Sequence, residues 1–581
     1  MSRHDDPVED LLGEYMARRI DRRQFFKRAA VFGVSLSSAS ALLAACGGGD
    51  EEAAPPPPAE TGAAPQPAPA PEPAEPPPAA GPVSGGTLIE GYDRDFTKMD
   101  TVSSGWADPG YVAIYEFTVS RDPDGNYVPA FADSWEISDD LLTWTLTFRP
   151  DLKFHSGAPV TAQVIADNFN EFRGANGQNA IFWPTVKDVQ APDATTVVVT
   201  MNAPFTAFPE TLATEYSMIE NLARRAELAD NYGATEADGT GPFTLTSFKP
   251  GTEVVVTRWE EYPGTNIPFF QNKGAAYLDS VKWVPLLELG NRANEIETGN
   301  VHVVKNPAGQ DVERLKSNSD LVTIIFPALA NFFIAPNYQL SELGFDDINV
   351  RQAISHAIDR ESLVENLYFG QAVATYGPFA PNFKWYDPGV EQFNQFDQAK
   401  ANELLDGAGW TMGSDGIREK DGKKFSFTML VNGGQPTTQP IIEAVVGMLK
   451  DVGIEMKLDT PDPANWFGVL TDPKKPPDAW SLEWLWSAPV DLLIFFQATP
   501  TKEYNGDLPE IAAAVTKWQT APEVTTLESA SRDFQLAWAE KLPEIPILTT
   551  FNVWVHQKNV MGYTPLQTML YPYYNDVWLA A

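Results

Sequence analysis

Val350-Arg351-Gln352-Ala353-Ile354-Ser355-His356-Ala357-Ile358-Asp359-Arg360 is the stretch on which the reading of this chain turns. Val350, Ala353, Ile354, Ala357 and Ile358 recur at the period of a helix that buries one face. Asp359 then offers a side chain suited to cap a second helix, which the spacing ends near Gly370. Further on, Asp397 caps a short helix from about Gln398 to Asp406, stopped by Gly407-Ala408-Gly409. Upstream the period changes to two. Thr143-Trp144-Thr145-Leu146-Thr147-Phe148 alternates polar and apolar residues, and Glu253-Val254-Val255-Val256-Thr257 is β-branched, so both read as strands. No repeat of solenoid period is present, and the class is mixed α/β.

Length and charge narrow this further. The chain has 581 residues, 43% of them hydrophobic, and cores stop growing near roughly 250–300 residues, so at least two lobes are expected. Lysine and arginine total 41 against 78 acids, a formal charge of -37. Such a field repels phosphate backbones and anionic headgroups, which argues against nucleic-acid partners and against a basic membrane-surface module. One cysteine cannot make an intrachain disulfide or a cysteine-rich metal site, and the five histidines are scattered, so neither metal nor cofactor is expected.

The first 45 residues read as an address. Arg22-Arg23-Gln24-Phe25-Phe26-Lys27 followed by the uncharged run Ala29 to Ala45 resembles a twin-arginine export signal, and the run is too short and too rich in Ala and Ser for a permanent membrane span. Leu43-Ala44-Ala45-Cys46 is similar to a bacterial lipobox, which makes Cys46 the acylated first residue of the mature protein. From Gly47 to Pro82 the chain has no aromatic or large aliphatic residue, so it is expected to be a disordered tether. At about 3.1 Å per residue its reach is on the order of 100 Å.

Catalytic motifs are not found. The sequence lacks GxxxxGK[ST], HExxH and a GxGxxG after a strand, and no GxSxG occurs after Cys46. The acid pairs Asp139-Asp140, Glu260-Glu261 and Asp346-Asp347 read as solvated loop charges. His155, in the turn Lys153-Phe154-His155-Ser156-Gly157, and His356, in a helix, read as structural or surface residues.

Several blocks together carry a resemblance. Asp124-Gly125-Asn126-Tyr127-Val128-Pro129-Ala130, Ala132-Asp133-Ser134-Trp135-Glu136-Ile137-Ser138 and the segment from Leu142 to Gly157 are similar to the opening of the family 5 extracellular solute-binding proteins, the dipeptide, oligopeptide and nickel receptors of ABC importers. Gly239-Thr240-Gly241-Pro242-Phe243 resembles that family's GTGPF turn, and Val350 to Arg360 its VRQA…AIDR helix. Phe396 to Ala401, Leu404-Leu405…Ala408-Gly409-Trp410 and Pro543-Glu544-Ile545-Pro546 follow in the family's order.

The resemblance implies an α/β fold, a two-lobed periplasmic-binding-protein clamshell with an extra subdomain in the first lobe. Residues 1–45 would be signal and 46–83 acylated cysteine plus tether. The first lobe would gather 84–115, 230–325 and 545–581, the inserted subdomain 116–229 and the second lobe 326–544. A monomer of this kind would sit at the outer face of the cytoplasmic membrane, in the periplasm or cell envelope, held by its lipid alone. It would capture a peptide-class solute and deliver it to an ABC permease driven by a separate ATPase subunit.

Departures from the family concern the ligand. Dipeptide receptors hold the ligand's ammonium with an aspartate in a W-[ST]-x-D pattern, but Trp486-Ser487-Ala488-Pro489 puts proline there, leaving Asp491 as the nearest substitute. The loop expected to carry an arginine for the carboxylate, Leu430 to Thr437, contains no cation. Trp486, Trp484, Asn432 and Gln435 would then suit a sugar face, an apolar side chain or a peptide backbone, while alternation also allows Trp480, Leu482 and Trp484 as core. Ser104 and Trp106, with Ser103, fall where the family approaches its ligand from the first lobe. A neutral oligosaccharide or other small polar solute is the second reading, and a tethered extracellular hydrolase the third.

Overall fold

The short-range features lie where local chemistry puts them. The decisive helix spans Ile348–Ala357, with the Asp347 carboxylate accepting from the Asn349 amide at its start. Asp359 accepts from Ser362 to open Arg360–Tyr368, and Asp397 accepts from Lys400 to open Gln398–Gly407. The two expected strands are Thr143–Phe148 and Glu253–Arg258. The computed structural model describes residues 81–580 apart from 103–107, 175–179, 181–182, 184, 339, 433–437, 463–464, 471, 473, 486–508, 522–523 and 570.

Long-range pairing organises the rest around one strand. Among the described residues a 12-stranded sheet runs in the order Glu455–Asp459, Ser426–Leu430, Ala479–Leu485, Ala330–Pro336, Ile545–Gln557, Val303–Lys305, Thr87–Tyr92, Ser280–Pro285, Glu253–Arg258 and Phe243–Lys249. Leu321–Pro327 and Ala372–Ala374 also pair with Ile545–Gln557, which completes the set. The first part of that long strand pairs with Ala330–Pro336 and Ala372–Ala374, and the second part with Val303–Lys305 and Leu321–Pro327. It therefore belongs to both lobes. Its partners change between Thr550, which pairs with Ala372, and Phe551, which pairs with Pro327, and the expected boundary at residue 545 falls at the start of this strand.

Two arginines from the decisive stretch hold this strand and the turn before it. Arg351 donates to the carbonyls of Lys541 (2.8 Å), Leu542 (3.1 Å) and Phe345 (2.9 Å). Arg360 donates to the carbonyls of Pro546 (2.9 Å) and Ser355 (3.0 Å) and to the Ser355 hydroxyl (2.7 Å). A fork of fixed N–H donors is the side chain that can satisfy several divergent carbonyls at once, which is why these positions call for arginine.

A separate four-stranded antiparallel sheet, in the order Ala132–Ile137, Thr143–Phe148, Thr196–Met201 and Val186–Gln190, packs on the helix Ala162–Phe172. His155 joins this subdomain to the GTGPF turn. Its Nδ1 accepts from the Gly239 amide at 3.2 Å and its Nε2 donates to the Gly241 carbonyl at 3.0 Å, a pairing that needs the neutral ring. Burial holds its pKa below the usual histidine range, in keeping with that tautomer. Both glycines lie against the end of the helix Pro109–Ile114, where a Cβ on Gly241 would stand 2.6 Å from the Ala113 carbonyl oxygen. Gly241→Ala is expected to cost about 1–3 kcal/mol, read as a lowered urea midpoint with unchanged slope. An unchanged midpoint would show that this contact yields without cost.

Candidate interlobe ligand site

Strand direction places the site. Thr87–Tyr92, Ser280–Pro285 and Val303–Lys305 run parallel in the first lobe, and Ser426–Leu430 runs parallel to Ala479–Leu485 in the second. The registers bring the carboxyl ends of both sets to the crossing. Lys305 stands opposite Trp554, and Leu485 opposite Ala330. In open α/β sheets ligands bind beyond the carboxyl ends of the strands.

A cavity of about 480 Å³ lies at this crossing and is lined from both lobes. That volume falls in the roughly 300–1,000 Å³ range of small-molecule sites. From the first lobe come Asp93 and Arg94, directly after one parallel strand, and Lys305 and Asn306, at the end of another. Thr550 comes from the shared strand and Glu483 from the second lobe.

These groups are arranged around Asp93. Asn306 donates from Nδ2 to Asp93 Oδ2 at 2.8 Å while its Oδ1 accepts from the Val553 amide at 3.0 Å, tying the first lobe's cavity wall to the shared strand. Asn306 adopts a positive φ of 48°, a conformation asparagine tolerates better than most residues. Lys305 Nζ lies 3.7 Å from Asp93 and 4.9 Å and 5.3 Å from the ring centres of Tyr92 and Trp554. Burial alone would push the Asp93 carboxyl up, but Lys305, Arg94 and Arg292 outweigh it and hold the group below the ordinary carboxylate range. Arg94 stands 3.6 Å from Asp108. Glu483 accepts from the Thr550 hydroxyl at 2.8 Å. Burial is the main influence on it and raises its pKa.

Of the residues singled out from sequence, Trp486, Asp491, Gln435, Ser104 and Trp106 lie outside the described residues, as do Arg22, Arg23 and Cys46. Asn432 follows the strand Ser426–Leu430, and the Trp484 backbone pairs with Asn331, so both stand at the carboxyl ends of second-lobe strands. Trp480 is fully buried, with its ring edge-on to Phe333 at 5.3 Å, and Leu482 is buried too. The intervening Ser481 is buried as well, so this strand is covered on both faces and alternation does not describe it. Sequence reading passed over Asp93, Arg94, Lys305, Asn306 and Thr550. The only trace was a charged or amide residue closing each apolar strand, as in Leu88-Ile89-Glu90-Gly91-Tyr92-Asp93-Arg94 and Val303-Val304-Lys305-Asn306.

Two α/β lobes sharing one strand, with the carboxyl ends of both sheets on a common cavity, define a clamshell binding protein. The sequence profile of the bacterial extracellular solute-binding proteins, family 5 (middle region), matches residues 126–503. The chain belongs to that family.

Similar proteins agree with this assignment. The chain is 25% identical over 499 residues to the glutathione-binding protein GsiB of Salmonella paratyphi A, covering 82% of this chain and 90% of that one. It is 28% identical over 356 residues to the probable D,D-dipeptide-binding periplasmic protein DdpA of Escherichia coli, covering 60% and 64%. The fold superposes on the oligopeptide-binding protein AppA of Bacillus subtilis with a TM-score of 0.72 at 21% identity, over 86% of this chain and 100% of that one. DppA of Helicobacter pylori, in complex with the peptide STSA, gives a TM-score of 0.72 at 21% identity, over 86% and 99%.

Proposed function

We propose that this protein is the exported, lipid-anchored receptor of an ABC importer, which captures a peptide-class solute between its lobes and passes it to a membrane permease. The observation that carries the reading is the interlobe cavity with polar and charged groups from both sides, Asp93, Arg94, Lys305 and Asn306 facing Glu483 across the shared strand. A zwitterionic, hydrogen-bonding solute finds both signs of charge there. Relatives named for glutathione and for D,D-dipeptides favour the peptide class. The signal over residues 1–45, Cys46 and the proline-rich tether supply the address and the leash, and the role is capture without turnover. Ser104, Trp106, Asn432, Gln435, Trp484, Trp486 and Asp491 are proposed to complete the ligand-contacting surface. The first lobe is proposed to comprise 84–115, 230–325 and 545–581, with 116–229 inserted and 326–544 forming the second lobe.

Native mass spectrometry of the purified protein, before and after mild denaturation, tests this reading. A released mass resolving into amino-acid residues is the expected result. A hexose-spaced series would move the assignment to an oligosaccharide. An empty protein would pass the question to a thermal-shift comparison of peptides with sugars.

A further inference from the structure

We propose that Glu483 is the counter-charge for a cationic group of the captured solute, an ammonium or a guanidinium. The inference rests on the interlobe cavity being the solute site. Glu483 lines that cavity from the strand Ala479–Leu485, is half-buried, and makes one hydrogen bond among the described residues, from Thr550. Among the described residues no cation stands within ion-pair distance of it. Lys305 and Arg94 are close enough to influence it, but they stand on Asp93 and Asp108.

The arrangement is costly for the protein alone. Partly withdrawing a carboxylate from water is unfavourable unless it is paired and hydrogen-bonded, and among the described residues the hydrogen bond to Glu483 is the one from the Thr550 hydroxyl. Burial is the first influence on the carboxyl and raises its pKa, so the lobes' own charges do not compensate its desolvation. A solute that brings a cation between the lobes would supply the missing charge and further donors together. A neutral hydroxyl-bearing solute would supply only the second. The alternative is a purely structural one, in which Glu483 merely accepts the Thr550 hydrogen bond.

Titration calorimetry on the full-length protein in detergent separates the two. The probes are tri-alanine and glutathione, their N-acetylated counterparts, the non-peptide amines cadaverine and agmatine, and neutral maltotriose. At least one amine-bearing probe is expected to bind, with acetylation weakening a peptide at least tenfold. Glu483→Gln, which keeps an acceptor for Thr550, is expected to abolish that discrimination and weaken the free amine by about 10–100-fold. Glu483→Asp, which keeps the charge, is expected to retain part of it, and it carries the comparison if E483Q melts well below wild type. Discrimination that survives in E483Q, or peptides that bind equally with and without acetylation, would overturn the role of Glu483 and leave the peptide reading intact. Binding of cadaverine or agmatine alone, lost in E483Q, would uphold Glu483 and overturn the peptide reading. A protein that takes up only maltotriose, or none of the amines, overturns the assignment.

Discussion

Arg360→Met is expected to lower the unfolding free energy by about 3–5 kcal/mol, measured by urea denaturation of the whole protein. The guanidinium is buried, and no carboxylate stands within ion-pair distance among the described residues. Burial draws its pKa down to about 10, which still leaves it charged at neutral pH. Its charge is balanced by carbonyl dipoles and by the face of Tyr376, 5.0 Å away. Methionine keeps much of the bulk and removes every donor, leaving the carbonyls of Pro546 and Ser355 without this partner in a dry interior. Arg360→Lys, with a single point of donation, is expected to fall between the two. A loss below about 1 kcal/mol for methionine would mean that the shared strand is held without this clamp.

The second large effect is a fall in stability as pH rises from about 6.5 to 8, above the range in which the neutral His155, His302 and His556, whose pKa values burial lowers, give the opposite slope. Glu90, Glu116 and Glu220 are all buried in the first lobe and its surroundings. Burial pushes Glu90 and Glu116 up to about 7, against the hydroxyls of Tyr574 and Tyr262, which each donate to one carboxyl oxygen. Glu220 is pushed up to about 8 by burial and by the neighbouring Asp100, despite Arg225. The sign follows from where the protons sit. Between the ordinary carboxyl value of 4.5 and these raised values, the folded protein binds protons that the unfolded chain has released. The contribution is fully present below that ordinary value and is lost as pH climbs through 7 to 8. Each group is expected to account for about 1–3 kcal/mol of the decline. Tm should therefore be higher at about pH 6.5 than at pH 8, and Glu220→Gln should flatten part of that slope. A Tm that is level or rises over this interval, or a slope unchanged by the substitution, would contradict the assignment.

What the sequence shows of this fold is its local part. Asp359 and Asp397 were legible as caps because a cap and the amide it satisfies lie within three residues of each other. Thr143–Phe148 was legible because one of its faces is drier than the other. The family blocks carried the clamshell, although nothing in their residues announces that Ile545–Gln557 serves both lobes. That fact lives in pairings such as Pro327 with Phe551, 224 positions apart, which leave no periodic trace. Trp480 was balanced between ligand platform and core, and burial of its strand on both faces decides for core. The cavity was the least legible part. Asp93, Lys305 and Asn306 are single polar residues at strand ends, and they acquire meaning only when the sheet brings those ends together.

The shared strand also sets a timetable for synthesis. Leu321–Pro327 has its described pairing only with Ile545–Gln557, so during translation its edge stays open until more than two hundred further residues have been made. An unsatisfied apolar edge is a site for pairing with the wrong chain. Neither half of the clamshell can finish before the other, and a ribosome that stalls short of Ile545 releases two incomplete sheets rather than one folded lobe.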